Sequence, residues 1–342
     1  MIWQTWRQHR AEAGLAAVLL AAMITAMIVV GTVARDRARG LGLPGCTSSG
    51  GDCGRALGAL HRDFHSIPPF IGALIAIPLL AGMFWAAPLI SREYEAGTHR
   101  LAWTQSISPL RWLATKLVLI FAVLAAAALG LGLLSTWTVR PLVEAFGGRY
   151  NSTWYDTQGI VPAACMLFAL SVGVAASALF RRTIPAMALT LVGYAAARIP
   201  VHFFRMHFAP LQTRTLTVPM RVLLSDPLGT PTTSFRARFN AGDWVQSTTV
   251  SGPRGPIPGD AINLALLQRG YCPRLPSRGV IPRATMTACE HRLEGMNLRE
   301  TVRVQPASHF WFIQAAETAI FLAAAAALVA LTLVLVTRRR AG

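Results

Sequence analysis

Apolar and polar positions separate along this chain into six long apolar blocks with polar stretches between them. The blocks are "GLAAVLLAAMITAMIVVGTVA" (14–34), "IPPFIGALIAIPLLAGMFWAAPLI" (67–90), "LVLIFAVLAAAALGLGLLSTWTV" (117–139), "GIVPAACMLFALSVGVAASALF" (159–180), "IPAMALTLVGYAAARIPVHFF" (184–204) and "FWFIQAAETAIFLAAAAALVALTLVLV" (310–336). Each matches the length of helix, about 20 residues, that crosses a bilayer. The pattern predicts an all-α integral membrane protein with six transmembrane helices.

The polar stretches set the rest of the organisation. The "TVA" closing the first block has the form of a signal-peptide cleavage site. The block is too long for a signal core, however, and "MIWQTWRQHR" before it places two tryptophans at interface height. Residues 1–13 are therefore expected to form an amphipathic helix lying in the membrane interface. Residues 14–204 hold the first five spans, with "RRT" (181–183) as a tight hairpin between the fourth and fifth. Residues 309–342 hold the last span and a basic tail.

Between them, residues 205–308 are too long for a structureless loop and predict a small mixed extracellular domain. In it "TRTLTVPMRVLL" and "SFRARF" alternate as strands do, while "GDAINLALLQRG" reads as a short helix stopped by glycine.

Composition agrees: of 342 residues 53% are hydrophobic and only 14% charged, where a soluble domain carries about a quarter. The net charge of +17 is informative by its placement. With the N-terminus inside, Arg7, Arg10, Arg92, Arg100, Arg111, Lys116, Arg181, Arg182 and Arg338 to Arg340 face the cytosol. Arg35, Arg37, Arg39, Arg55, Arg62, Arg140 and Arg149 fall in short outer loops. The excess of inner cations favours cytosolic termini, although "ARDRARG" after the first span opposes it. In that orientation Cys46, Cys53, Cys272 and Cys289 all lie outside, where disulfides persist. Two local bridges are expected, without the spacing fixing their connectivity, and free thiols are the alternative. Cys165 falls within the fourth span as a packing residue. The 205–308 segment holds thirteen arginines against six acids, either a solvated surface facing anionic headgroups or a funnel for an anionic, phospholipid-like substrate.

Several chemistries are excluded. Lys116 is the only lysine and sits in "RWLATKL", so no phosphate-binding G-x-x-x-x-G-K-[ST] exists. H-E-x-x-H, G-x-S-x-G and C-x-x-C are absent as well. His61 and His65 in "HRDFH" have helical spacing and read as surface residues rather than a metal site. Ionisable residues within apolar blocks are functional candidates by default. Arg198 and Glu317 lie at similar depth near the outer ends of the fifth and sixth spans, as an ion pair, a substrate-path site or snorkelling charges.

The most structured polar stretch is "REYEAGTHRLAWTQSISPLRWLATK" (92–116). "REYEA" extends the second span, Gly97 and Thr98 break it and cap a new helix, and Ser108–Pro109 starts the return. The result is a helix-turn-helix that offers an aromatic anchor and charges to a partner groove. "E-x-E-x-G-T" after the second of six spans resembles the type-2 ABC exporter permeases. "TWRQHR", "GTHRLAWTQS" with "RWLATKL", and "QPASHFWFIQAAE" resemble a subgroup common in high-GC Gram-positive bacteria.

The resemblance implies that this loop is the coupling helix docking on a separate ATPase subunit. Glu93, Glu95, Gly97, Thr98, His99 and Arg100 would be the coupling residues, with Trp103, Thr104 and Gln105 beside them. It implies a non-catalytic permease in a bacterial cell membrane, paired with a second copy or a homologous partner. ATP and magnesium would be bound by the partner ATPase and none by this chain. Membrane lipids and a hydrophobic or amphipathic substrate are the other expected partners, and nucleic acid is not. Two rival readings are a membrane-anchored sensor with a basic outer domain, and a membrane-embedded lipid-modifying enzyme using Arg198, Glu317 and the histidines.

Overall fold

The computed structural model describes residues 2–43, 51–95, 109–146, 148–152, 154–216, 221–224, 231–234, 243–252, 255–257, 287, 291 and 299–338. The chain divides into two compact units, Met1–Phe208 with Phe310–Gly342, and Ala209–His309.

The first unit is helical. In chain order it holds α1 (Ile2–Gly40), α2 (Gly51–Asp63), α3 (Ile67–Gly72), α4 (Ala76–Ala81), α5 (Ala87–Glu95), α6 (Pro109–Val139), α7 (Val161–Phe180), α8 (Thr183–Phe204) and α9 (Phe310–Arg338). Six stretches are long and apolar enough to cross a membrane: Ala17–Gly40, Ile67–Arg92, Leu117–Val139, Val161–Phe180, Thr183–His207 and Ala307–Thr337. The six blocks read from the sequence are thus the six candidate spans.

The first span runs further than its apolar block. α1 is one helix of 39 residues, about 58 Å at 1.5 Å per residue, so residues 2–13 continue into the span without a break. The "ARDRARG" cluster, assigned to a loop by its charge, is also helical. Its Ala and Arg residues are good helix formers, and nothing interrupts them before Gly40. Arg35 lies with its guanidinium 3.6 Å from the Trp137 ring centroid, and donates to the Gly31 carbonyl at 2.8 Å and to the Trp137 carbonyl. A cation on an aromatic face with its donors satisfied belongs on a helix pair, and here it joins spans one and three.

α2 packs Leu60 into a cluster with Met27, Phe64, Leu142 and Trp154, all buried. Its histidines contact backbone carbonyls: His61 Nδ1 lies 3.1 Å from the Ala145 oxygen and His65 Nδ1 2.9 Å from that of Arg62.

The second span is not a uniform helix. A 3₁₀ turn at Ala73–Ile75 and a π turn at Gly82–Ala86 divide it into α3, α4 and α5. Pro78 lacks an N–H and crowds the preceding turn, which accounts for the irregularity on its N-terminal side. The π turn starts where Gly82 meets the fourth span. A Cβ on Gly173 would stand 2.5 Å from the Gly82 carbonyl oxygen, and one on Gly82 2.7 Å from that of Ala169. Small residues thus let two backbones touch, as membrane helices do where dispersion drives packing.

α7 is the centre of this unit. Its most apolar stretch is 72% buried, against 17–33% in the other five spans, so it is the helix around which the others pack. It ends at Arg181, whose φ of 55° is left-handed. That residue and the extended Arg182 turn the chain directly into α8.

The second unit contains a four-stranded antiparallel sheet in the order β1 (Gln212–Leu216), β6 (Arg299–Gln305), β4 (Trp244–Gly252), β5 (Gly255–Ile257). A separate hairpin pairs β2 (Arg221–Leu224) with β3 (Pro231–Ser234). The strands expected in "TRTLTVPMRVLL" are β1 and β2. The helix expected in "GDAINLALLQRG", and "SFRARF" beyond Ser234, lie outside the described residues.

Candidate functional site

Two polar assemblies stand at opposite ends of α8. At its N-terminus, the first backbone N–H groups have no partner within the helix. Glu95, the last residue of α5, supplies one: its Oε1 accepts from the Thr183 N–H and its Oε2 from the Thr183 hydroxyl, both at 2.9 Å. The Ser91 hydroxyl, one turn back on α5, lies 2.9 Å from the Thr183 hydroxyl. The backbone and hydroxyl donors of Thr183 hold the Glu95 carboxyl below its usual range, helped by the charges of Arg182 and Arg92. A carboxylate at a helix N-terminus also suits the helix dipole. The end of span two is thereby tied to the start of span five.

At the other end of α8 lies a buried ion cluster. Arg198 Nη1 pairs with Glu317 of α9, and its Nη2 lies 2.7 Å from Asp156 Oδ1. Arg205 Nη1 donates to the same Asp156 oxygen at 2.6 Å, and His202 Nδ1 meets Oδ2 at 3.0 Å. Asp156, Arg198, Arg205 and Glu317 are all buried. Their two carboxylates and two guanidiniums balance, as they must where an unpaired charge would be very costly. Burial alone would raise the Asp156 carboxyl. The His202 hydrogen bond and the charges of Arg198 and Arg205 outweigh it and hold Asp156 below its usual range. Arg205 also stacks 4.3 Å from the Tyr155 ring centroid. Burial raises the Tyr155 phenol, and the Glu317 charge raises it further.

Local sequence explains how Asp156 reaches the cluster. The segment after span three folds back as a 3₁₀ turn, Tyr155–Thr157, anchored by buried Trp154 and Tyr155. Thr136 Oγ1 accepts from the Gly159 N–H at 2.9 Å, and the Ser135 and Thr157 hydroxyls meet at 3.2 Å. Gln314 on α9 accepts from the Ile160 and Val161 N–H groups at 3.3 Å each, capping α7. Gln314 and Glu317 are three residues apart, so one face of span six supplies both the cap and the carboxylate.

A cleft opens beside the cluster. Asp156 and Arg198 form its polar end, and Leu74, Pro78, Leu131 and Met166 line its apolar walls. It therefore adjoins the irregular stretch of span two.

Of the residues singled out from the sequence, Arg198 and Glu317 come together. Glu95 is engaged with Thr183, and Glu93 lies in α5 with its side chain outside the described residues. Gly97, Thr98, His99, Arg100, Trp103, Thr104 and Gln105 also lie outside them, as do Cys46, Cys272 and Cys289. Cys165 is buried and free. Sequence reasoning missed Asp156, His202, Arg205, Ser91 and Thr183. One signal was available: Asp156 is the only acid between Glu144 and Asp226 and follows Trp154 and Tyr155.

The family described as ABC-2 membrane transporter related matches residues 17–205, more than half of the chain. The chain belongs to that family. This ABC-2 related protein is accordingly a permease-type component of a membrane transporter, with six candidate spans. No curated protein and no solved structure matches it. The matched region takes in the Glu95–Thr183 clamp together with Asp156, Arg198, His202 and Arg205, and stops short of Glu317.

Proposed function

We propose that this chain is the permease subunit of an ATP-driven exporter, coupled to separate ATPase subunits through the 92–116 loop. Two copies, or one copy and a homologous partner, form the substrate pathway in a bacterial cell membrane with all termini cytosolic. ATP and magnesium belong to the partner ATPases. The cargo is hydrophobic or amphipathic, residues 205–308 face outward, and Cys46, Cys53, Cys272 and Cys289 form two local disulfides on that side.

The observation that carries the reading is the clamp of Glu95 on Thr183. α5 continues past the span to Glu95, from which the loop departs, so a push on the loop moves the ends of spans two and five as one body. α8 is a rod whose far end enters the ion cluster. Motion delivered to Thr183 therefore reaches Arg198, Asp156 and Glu317, which border the cleft. The irregular second span gives that motion somewhere to be absorbed, since 3₁₀ and π turns mark helices that bend in function. ATP can shift the pore only if the ATPase pair binds one pore conformation better than the other. A loop rigidly tied to two spans provides that difference.

Against the lipid-enzyme reading, two of its three candidate groups, Arg198 and Glu317, are engaged with each other in an ion pair. The test is purification of the tagged chain from its native membrane in mild detergent. The expected result is a stoichiometric P-loop subunit that is lost when residues 93–105 are replaced. Recovery of the chain without an ATPase, under conditions that keep membrane complexes together, would overturn the reading.

A further inference from the structure

The second unit presents a surface that the transport reading does not use. On strand β6 successive side chains alternate between faces. Val302 and Val304 are buried on one face, with Val250 of β4. The other face carries Arg299, Thr301 and Arg303. Antiparallel register sets what stands beside them, because directly opposed residues share a face. Arg303 lies between Thr213 of β1 and Ser247 of β4, and Thr301 between Thr215 and Thr249. Arg299 is opposite Ser251. Trp244, half-buried, stands beyond Ser247 opposite Gln305.

This array has a definite chemistry. Apart from Trp244 and Gln305 at one end, its described positions on β1, β6 and β4 are hydroxyls and guanidiniums, with no carboxylate and no aliphatic side chain among them. Thr213, Thr215, Thr249, Arg299 and Arg303 are exposed. Strands about 4.8 Å apart, with same-face residues about 6.8 Å apart along each, give a flat grid of donors. The two arginines are four residues apart on one strand, about 13 Å, so they suit two charges on an extended ligand rather than one small anion. Guanidinium presents a fixed fork of donors to carboxylate or phosphate, and hydroxyls donate and accept as a polyol requires. A surface for inserting into lipid would instead carry apolar anchors facing outward. The surrounding segment 205–308, with thirteen arginines and six acids, adds a field of matching sign.

We infer that the exposed face of β1, β6 and β4 binds a sugar polymer bearing anionic groups, with Arg299 and Arg303 on its charges and the Thr/Ser rows on its hydroxyls. Such binding would hold the second unit against a hydrated polyanion beside the membrane. The outward placement of this unit rests on the exporter reading; the binding itself does not.

The experiment uses the full chain in nanodiscs of zwitterionic lipid, which leave both membrane faces accessible and make the result independent of orientation. Polygalacturonate is the anionic probe and dextran the neutral control. The expected result is saturable binding of polygalacturonate, weakened by added salt, with dextran at least tenfold weaker. R299Q/R303Q should lose at least tenfold in affinity, and T249V/T301V several-fold, with the thermal melt of each unchanged. The inference is overturned if polygalacturonate does not bind, or if R299Q/R303Q binds it as the wild type does. It is also overturned if the wild type captures phosphatidylglycerol vesicles but not the polymer. Failure of the exporter reading is scored separately, by loss of the ATPase on purification.

Discussion

Glu95 and Thr183 lie 88 residues apart in sequence and share two hydrogen bonds of 2.9 Å at one helix junction. The carboxylate closes the N-terminus of α8 from a neighbouring helix, so the contact serves the fifth span and restrains the second together. An interaction of this kind transmits displacement without needing deep burial, because its geometry is fixed by two acceptors on one group.

Replacing Glu95 by Ala is expected to leave the protein folded while weakening the coupling of transport to ATP hydrolysis. Transport assayed in proteoliposomes against ATPase turnover gives the readout. Unchanged coupling in E95A would remove Glu95 from the transmission path.

The clamp also predicts a pH dependence. Because Glu95 is held below its ordinary value in the folded protein, its contribution is full above about 4.3, the unperturbed glutamate value. It fades as pH falls through the lower folded value. Thermal melts of wild type and E95A should therefore differ at pH 7 and converge towards pH 3. A gap that stays constant across this range would show that the carboxylate charge is not what holds the junction.

In the ion cluster, D156A should be more damaging than E317A. Asp156 serves Arg198, Arg205 and His202, whereas Glu317 serves Arg198, which keeps Asp156 as a partner in E317A. Removing one member of a buried pair costs about 3–5 kcal/mol, and D156A should reach that range. Its carboxylate is likewise held low, so the contribution of Asp156 is lost as pH falls through that lowered value. Chemical unfolding in detergent ranks the variants, and equal loss in both would refute the hub role of Asp156.

The glycines make a paired prediction. G173A places a methyl 2.5 Å from the Gly82 carbonyl oxygen, and backbone cannot yield as a flexible side chain does. Overpacking of this kind costs about 1–3 kcal/mol. Gly130, also within a span, has open space where a methyl would stand, with nothing within 4 Å. G130A should therefore gain about 0.5–1 kcal/mol from helix propensity. Melting temperatures moving in the same direction would contradict the close approach of spans two and four.

The proposed bridge at Cys53 predicts a shift in electrophoretic mobility on reduction, diminished in C53S. Complete alkylation of Cys53 before any reductant is added would remove the bridge.

The sequence alone determined the six spans, because a bilayer demands about 20 apolar residues in a row and such runs are written locally. It also showed that no phosphate-binding loop motif is present, since its one lysine lies in "RWLATKL". The pairing of Arg198 with Glu317 was legible only as one of three alternatives, because charges within apolar blocks need partners and similar depth brings these two within reach. Tertiary structure decided what depends on approach between distant segments. Asp156 enters the cluster only because Trp154, Gln314 and the Thr136 hydroxyl fold its loop back against the bundle, and no local pattern encodes that turn. Glu95 reads as a free docking charge until α8 brings Thr183 against it. The extension of α1 through "ARDRARG" was hidden for a related reason. Charge suggests a loop, but these arginines are good helix formers, and Arg35 finds its cation site on Trp137 of another span. Periodicity and composition report the solvent each residue prefers, whereas hydrogen-bond geometry between helices is settled only when they pack.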